Sequence, residues 1–520
     1  MWAVLIAAAL AYTLKYLHHS AMPGNSLTYP EGWWGWFDQG QYLRAATAFL
    51  HGDLAPQNFY YPPLYPLIGA AFLPFLPNHP FFLFDGFAFV FFVYTFIKFA
   101  ETYISRIEAV GIVLATLIFN HRILEQFAIP WTTACTVAIY SFAILRLVQL
   151  NRAVQTSQYV SRPYSAFHAL PFAIVFGLLV LSRPVDSGLA AVFFPGYLYF
   201  DWKRTNSPPL RLYWGRLLAV GSLLTLGFAC GLALFAVYNK VIFGSPLGGY
   251  VQSTASASGY FPSQLPRKLF TLLVDTYTVF LEPRASLLTH YPWMLLSMFG
   301  IALALLSGDA LKRVVAIALI VHFCLYAPYG DLLPNGLWRF NNIHYFKWML
   351  PYLGFYAWLT VRWTVASWRT DRERLAKRLA IVFGAVFLML TPRFAVDERM
   401  ASDRVVTGPS GEASIEIDFP DAPSPIDFVD LPRLHGGFTE IYFGEHRASL
   451  DGRDLTKVRD FRLVPSPTGA RLIFIRPVAG HRLVFSAGQG VDISDVGGTV
   501  PVGRYYFSIG WPHWRRDVPR

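Results

Sequence analysis

Apolar stretches long enough to cross a lipid bilayer recur from the N-terminus to about Phe394, and many carry Trp or Tyr at their ends. A crossing takes ~20 residues of helix, because lipid offers no partner for an open backbone N–H or C=O. A chain that repeats such stretches folds as a helical membrane bundle, and 54% hydrophobic residues against 14% charged ones exclude an ordinary soluble protein. The first stretch, Trp2 to Leu17, has no Lys or Arg before it and no small-residue cleavage site after it, so it is expected to stay in the mature chain as a span. Cys135, Cys230 and Cys324 lie inside apolar stretches and form neither a disulfide framework nor a CxxC metal signature.

Loop charge orients the bundle. Glu101 to Arg106, Asn151 to Phe167, Trp202 to Arg216, Gly308 to Arg313 and Ser367 to Arg378 together hold 14 Lys/Arg in 56 residues. His18 to Tyr61, His121 to Pro130, Ile242 to His290 and Asp331 to Ile343 hold 6 in 116, so the first set is cytoplasmic and the second external. The net charge of +11 is thus topology information and carries no nucleic-acid meaning. Parity then allows only one of Leu64 to Leu76 and Phe81 to Ala100 to cross. Pro62, Pro63, Pro66 and Pro74 mark the first as a juxtamembrane or half-inserted helix. The expected fold is an α-helical polytopic membrane protein of about eleven spans: 2–17, 80–100, 107–120, 131–150, 168–182, 184–201, 217–241, 291–307, 314–330, 344–366 and 379–394. The N-terminus is cytoplasmic. Residues 395–520 turn polar, with period-two stretches such as Ser414 to Phe419 and Arg471 to Ile475, and predict an external β-rich domain built as a sandwich or jelly roll.

One external loop gathers chemistry. His18 to Tyr61 holds Glu31, Trp33, Trp34, Trp36, Asp38 and Tyr42, and ends at Tyr60-Tyr61-Pro62-Pro63-Leu64-Tyr65-Pro66. Asp38 precedes a helix-like run that stops at Gly52, so a helix N-cap accounts for it structurally. Capping does not account for the crowding of acids and aromatics around it, and a fixed carboxylate is also what a general base requires.

The pattern Asp38, Tyr42, Ala45-Ala46, Phe49, Gly52-Asp53, then Tyr61-Pro62-Pro63-Leu64-Tyr65-Pro66, resembles the first external loop of the GT-C superfamily of membrane glycosyltransferases, in particular its protein mannosyltransferase and lipid A aminoarabinose transferase branches. Tyr238-Asn239 with Phe243 to Tyr250, and Asn335-Gly336 with Arg339, are similar to later external segments of that superfamily. The resemblance spans residues 1 to about 394, taken as the catalytic domain. It implies an inverting enzyme that moves a sugar from a polyprenyl-phosphate-linked donor to a cell-envelope glycan, lipid or protein acceptor, with Asp38 as general base. It also implies the cytoplasmic membrane as location, with chemistry on the periplasmic or extracellular face. Many relatives place a second acid after this aspartate; here Gln39 is neutral, which argues against a paired-carboxylate site for a divalent cation.

A departing phosphate needs cations or donors. The external face offers His121, Arg122, Arg284, Arg339 and His344 for that role, along with Arg183, Arg267, Lys268 and His290. Arg183 is too costly to face lipid and is expected to pair with Asp186. Tyr42, Tyr61, Tyr250, Glu31 and Glu282 are the candidates for holding sugar or acceptor, while Trp511 and Trp514 are a candidate glycan platform in the tail. Two other classes stay open: a transporter or flippase for a lipid-linked sugar, which would use charge inside the spans such as Asp85, and a GT-C-like scaffold without activity.

Overall fold

The computed structural model describes residues 1–155, 169–204, 209–248, 260, 265–274, 286–329, 332, 334–370, 393–407, 413–419, 425–457, 459–466, 468–494 and 498–508. The chain divides into two compact units: Met1–Gln252 with Trp293–Tyr326 and Asn341–Ala366, and Ser253–Pro292 with Ala327–Phe340 and Ser367–Arg520. The second unit therefore gathers two segments from the helical half as well as the tail.

The first unit is helical. Its elements are α1 (Trp2–Leu17), α2 (Phe37–His51), α3 (Leu64–Phe72), α4 (Phe82–Ala100), α5 (Arg106–Val113), α6 (His121–Ala128), α7 (Thr133–Gln155), α8 (Ala169–Ser182), α9 (Ala190–Arg204) and α10 (Leu210–Phe243). In the second unit, α11 (Leu265–Leu273) and α12 (Leu287–His290) follow. The first unit resumes with α13 (Met294–Leu306) and α14 (Ala310–Tyr326); α15 (Pro334–Arg339) returns to the second, and α16 (Met349–Thr370) begins in the first.

Three helical segments are long and apolar enough to cross a membrane: Phe82–Ala100, Thr133–Gln155 and Tyr213–Phe243. A fourth candidate is the pair Arg106–Ile118 and His121–Ala128, bent by 76° where a π-helical turn, Leu114–Ile118, ends. Among the described residues the remaining apolar helices are shorter, including Trp2–Leu17, Ala169–Ser182 and Met294–Leu306. The expected crossing at 379–394 lies largely outside the described residues.

Side-chain placement explains how these helices pack. On α1, Ala8, Tyr12 and Tyr16 are buried while Trp2, Ile6, Leu10, Leu14 and Leu17 form an exposed stripe at helical spacing. On α10, Gly227 and Gly231 let the backbone close on α8: a Cβ on Gly231 would meet the Gly177 carbonyl oxygen at 2.2 Å. This is a small-xxx-small contact, in which absent side chains bring two backbones together. Helix α3 has nine residues, ~14 Å at 1.5 Å per residue, too short to cross and in keeping with its prolines.

The second unit carries an antiparallel sheet. Its strands are β1 (Arg393–Thr407), β2 (Ala413–Asp418), β3 (Ile426–Leu431), β4 (Leu434–Gly436), β5 (Arg447–Leu450), β6 (Arg453–Leu455), β7 (Phe461–Ser466), β8 (Gly469–Val478), β9 (Arg482–Ser486), β10 (Val491–Ile493) and β11 (Gly498–Ser508), with a short helix, α17 (Phe438–Phe443), between β4 and β5. Nine strands hydrogen-bond in the order β6-β5-β9-β2-β1-β11-β3-β8-β7, and β10 pairs with β4. Alternation places Ile415 and Ile417 of β2 in the core, with Phe461, Leu463, Leu472, Phe474, Leu483 and Phe485. Glu416, between the two isoleucines, points out to Arg404 at 2.7 Å.

The expected sandwich or jelly roll is replaced by one coiled sheet. Eight strand-to-strand steps of ~4.8 Å would separate β6 from β7 by ~38 Å if the sheet lay flat. Residues 456–460 join those two edges and span at most ~21 Å. The sheet must curl until its edges nearly meet.

Candidate functional site

Asp38 does not cap α2. The helix begins one residue earlier, Trp36 stands at the cap without a side-chain bond, and Asp38 lies in the first turn, where a negative charge is favoured by the helix dipole. Gly52 closes the helix in the left-handed region at φ 68°. Ala45, Ala48 and Phe49 of α2 pack with Phe59, Tyr238 and Ile242, and half-buried Asp38 lies one turn before Tyr42.

The carboxylate is held by the YPPLYP segment: the Tyr61 hydroxyl donates to Asp38 Oδ1. Tyr61 therefore positions the acid. Its ring packs at 4.8 Å from that of Tyr42, which is buried and also meets Tyr65 edge-on at 5.4 Å. Tyr42, a candidate for holding sugar or acceptor, is 2% exposed, with its ring against those of Tyr61 and Tyr65. Its hydroxyl lies among polar groups: the Thr132 side chain hydrogen-bonds it, and the charges of Asp38 and Arg183 both act on it. Burial first, then the Asp38 charge, holds this phenol protonated well above its ordinary range.

Arg183 completes the cluster. Its Nη1 donates to Thr132 Oγ1 at 2.9 Å, its Nε donates to the Tyr326 hydroxyl at 3.0 Å, and the guanidinium lies 4.8 Å from the centre of the Tyr345 ring. Asp186, fully buried, pairs with Arg183 at 3.2 Å as the sequence leads one to expect. The hydroxyls of Thr136 and Tyr326 donate to the same carboxylate, and Tyr140 donates to the Asp186 carbonyl at 2.9 Å. These bonds fix the Asp186 side chain, and it aims Arg183.

His344 joins this neighbourhood. It is buried, its ring stacks on Trp131 at 3.9 Å, its Nδ1 lies 3.3 Å from Thr133 Oγ1, and the charges of Arg183 and Lys347 act on it. Lys347, expected to snorkel, is 1% exposed; it donates to the Gln126 carbonyl at 2.8 Å and sits over the Phe127 ring. The Asp85 charge reaches it, and Asp85 itself is 2% exposed and accepts from Tyr65 at 2.8 Å.

Other sequence candidates fall elsewhere. His121 and Arg122 occupy the exposed first turn of α6, about one ~12 Å helix length from its buried end beside Pro130. Glu125 is engaged by Lys15 at 3.0 Å and His19 at 3.3 Å. Glu31 is exposed and lines an open cleft of about 770 Å³ with Trp34, Arg44, His51 and Asp53, on the α2 stripe of Gly40, Arg44 and Thr47; Asp38 is not in its lining. Trp33 is buried against Tyr16 and His19.

In the second unit, Arg339 is exposed and lies 3.6 Å over the Phe438 ring. There too, His290 stacks on Trp338 at 4.0 Å, and Lys268 is buried, donating to the Leu332 carbonyl at 2.9 Å. Tyr250, Glu282, Arg284, Trp511 and Trp514, and the side chain of Arg267, lie outside the described residues. Among the described residues, no three His, Cys, Asp or Glu side chains gather as a metal-ligand set.

Sequence reasoning did not assign Thr132 or Tyr345 to this site; it named Arg183 among the candidate phosphate cations and favoured a structural pair with Asp186 for it. Arg183 carried a signal, a charge in the break between two apolar runs. Thr132 carried none, since only the fold brings it to Arg183 from 51 residues away. Comparison of the chain with family models, curated proteins and solved structures finds no match.

Proposed function

We propose that this chain is an inverting membrane glycosyltransferase of the GT-C type, with about eleven spans, a cytoplasmic N-terminus and its chemistry on the external face. The observation that carries the reading is geometric: the Tyr61 hydroxyl holds the Asp38 carboxylate beside the Tyr42 ring, and the neighbouring Gln39 donates to the Pro130 carbonyl, two residues before the Thr132 hydroxyl that accepts from Arg183. The exposed apolar stripe of α1 and the candidate spans support a lipid surrounding, as does Arg183 held ready by Asp186.

In this reading the acceptor hydroxyl attacks the anomeric carbon of the donor while Asp38 takes its proton. The bond from that carbon to the carrier phosphate breaks, and its electron pair leaves with the phosphate oxygen. Arg183 meets that developing charge in a region where water is excluded and a fixed cation counts for most. Attack opposite the leaving phosphate inverts the sugar carbon.

Purified protein given a radiolabelled polyprenyl-phosphate sugar and envelope acceptors tests it. Labelled product that disappears in Asp38→Asn supports the proposal; product unchanged in that variant sinks it. The buried Asp85 and Lys347 give a second reading, a lipid-linked sugar flippase. Movement of intact lipid across vesicles without sugar transfer would favour that one.

A further inference from the structure

The coiled sheet of the second unit leaves a seam between its edge strands β6 and β7, and the described residues Thr456, Lys457, Arg459 and Asp460 lie between those strands in sequence. The Asp460 carbonyl accepts from the Ile475 N–H at 2.9 Å, and the Asp460 N–H donates to the Thr456 carbonyl at 2.7 Å. The Thr456 N–H donates to Asp460 Oδ2 at 2.8 Å. These bonds fasten these residues to the end of β8 and so bring Arg459 towards Arg476 and Arg453. The three arginines, with Asp454, Thr456 and Asp460, line a cavity of about 590 Å³.

Among the described residues, none of these arginines has a side-chain ion pair or hydrogen bond. Elsewhere in the same domain Arg404 and Arg482 share Glu416, Arg433 pairs with Asp403, and Arg471 with Asp430. Leaving three guanidinium groups around one cavity costs self-repulsion that a bound oxyanion would relieve. Guanidinium forks match phosphate oxygens in shape and charge, and carboxylates at the same wall accept hydroxyl groups.

We infer that the seam cavity binds a phosphate ester that also carries hydroxyls, of the glycerophosphate or sugar-phosphate kind. Arg453, Arg459 and Arg476 hold the phosphate, and Asp454 faces the hydroxyls. The same chemistry arises in a free ligand and in a lipid head group, and the two sources are separable.

The full chain in phosphatidylcholine nanodiscs is titrated with glycerol 3-phosphate by calorimetry, and is separately mixed with phosphatidylglycerol vesicles and sedimented. Saturable binding of glycerol 3-phosphate assigns a free ligand, and binding to vesicles alone assigns the head group. In either case changing all three arginines to glutamine weakens it roughly tenfold or more. Arg476→Gln alone, at an unchanged melting temperature, gives a smaller loss and separates binding from folding. Binding of neither probe, or equal binding by parent and triple variant, overturns the inference.

Discussion

Gln39 donates from Nε2 to the carbonyl oxygen of Pro130 at 3.0 Å, and its side chain is buried. This bond ties the first turn of α2 to the segment that carries Trp131 and Thr132, and so sets Asp38 relative to the Arg183 cluster. It also explains the neutral residue at this position: a carboxylate has no hydrogen to give a carbonyl. Gln39→Glu is expected to cost about 2–4 kcal/mol, because it buries an acid against an acceptor. Thermal unfolding in detergent checks this, and a melting temperature equal to the parent's would contradict it.

Tyr61→Phe keeps the ring that packs on Tyr42 and Tyr60 but removes the donor to Asp38. If Asp38 is the base, turnover should fall about tenfold with little change in KM, since the loss is in positioning. Steady-state kinetics on the purified protein decides it; a change in KM alone would point to substrate contact by the phenol instead.

Arg183→Lys keeps the charge yet cannot reach Thr132, Tyr326 and Asp186 from one planar group. A roughly 100-fold loss of turnover is expected, with Asp186→Asn lowering it in the same direction through misorientation of Arg183. Equal activity of Arg183→Lys and the parent would remove Arg183 from the chemistry.

Gly231→Leu places a side chain where a Cβ alone meets the Gly177 carbonyl oxygen at 2.2 Å. Helices α8 and α10 must separate, at a cost of about 3 kcal/mol or more. The melting temperature in detergent should drop accordingly, and an unchanged value would mean that these backbones do not touch.

His446 gives the second unit a pH dependence. Its Nε2 faces the carbonyls of Glu440 at 3.1 Å and Ile441 at 2.9 Å and so carries the hydrogen, while Nδ1 accepts from the Gly488 N–H at 3.0 Å. That is the neutral ring. Burial first, with the Lys457 charge next, pushes its pKa below the ordinary 6.5. The unfolded chain therefore binds the proton first as pH falls, so stability drops through 6.5 and levels off below the folded value. Above that range this group has no effect. The protection factors of the β9 amides, that is their exchange relative to the intrinsic rate at each pH, should fall between pH of about 7.5 and 5.5, and that fall should vanish in His446→Gln.

The sequence was most informative where a single residue decides a local shape. Gly52 ends α2, prolines keep α3 short, and the proximity of Arg183 and Asp186 in sequence already implied their ion pair. It was least informative where distant segments meet. The burial of Lys347 depends on Gln126 and Phe127, and the coiling of the sheet depends on a strand order that alternation alone does not specify. The start of α2 was misplaced by two residues, a shift that turns Asp38 from a capping acid into a first-turn acid. The GxxxG at Gly227 and Gly231 was readable all along.

The coiling of the tail's sheet also governs what other chains can do to it. A flat sheet of this width would present two long rows of unpaired backbone groups, an invitation to fibril growth. Here one rim is the three-residue β6 and the other, β7, lies next to it around the curl. A foreign strand finds almost no foothold, so the tail should resist strand-addition aggregation when released by proteolysis.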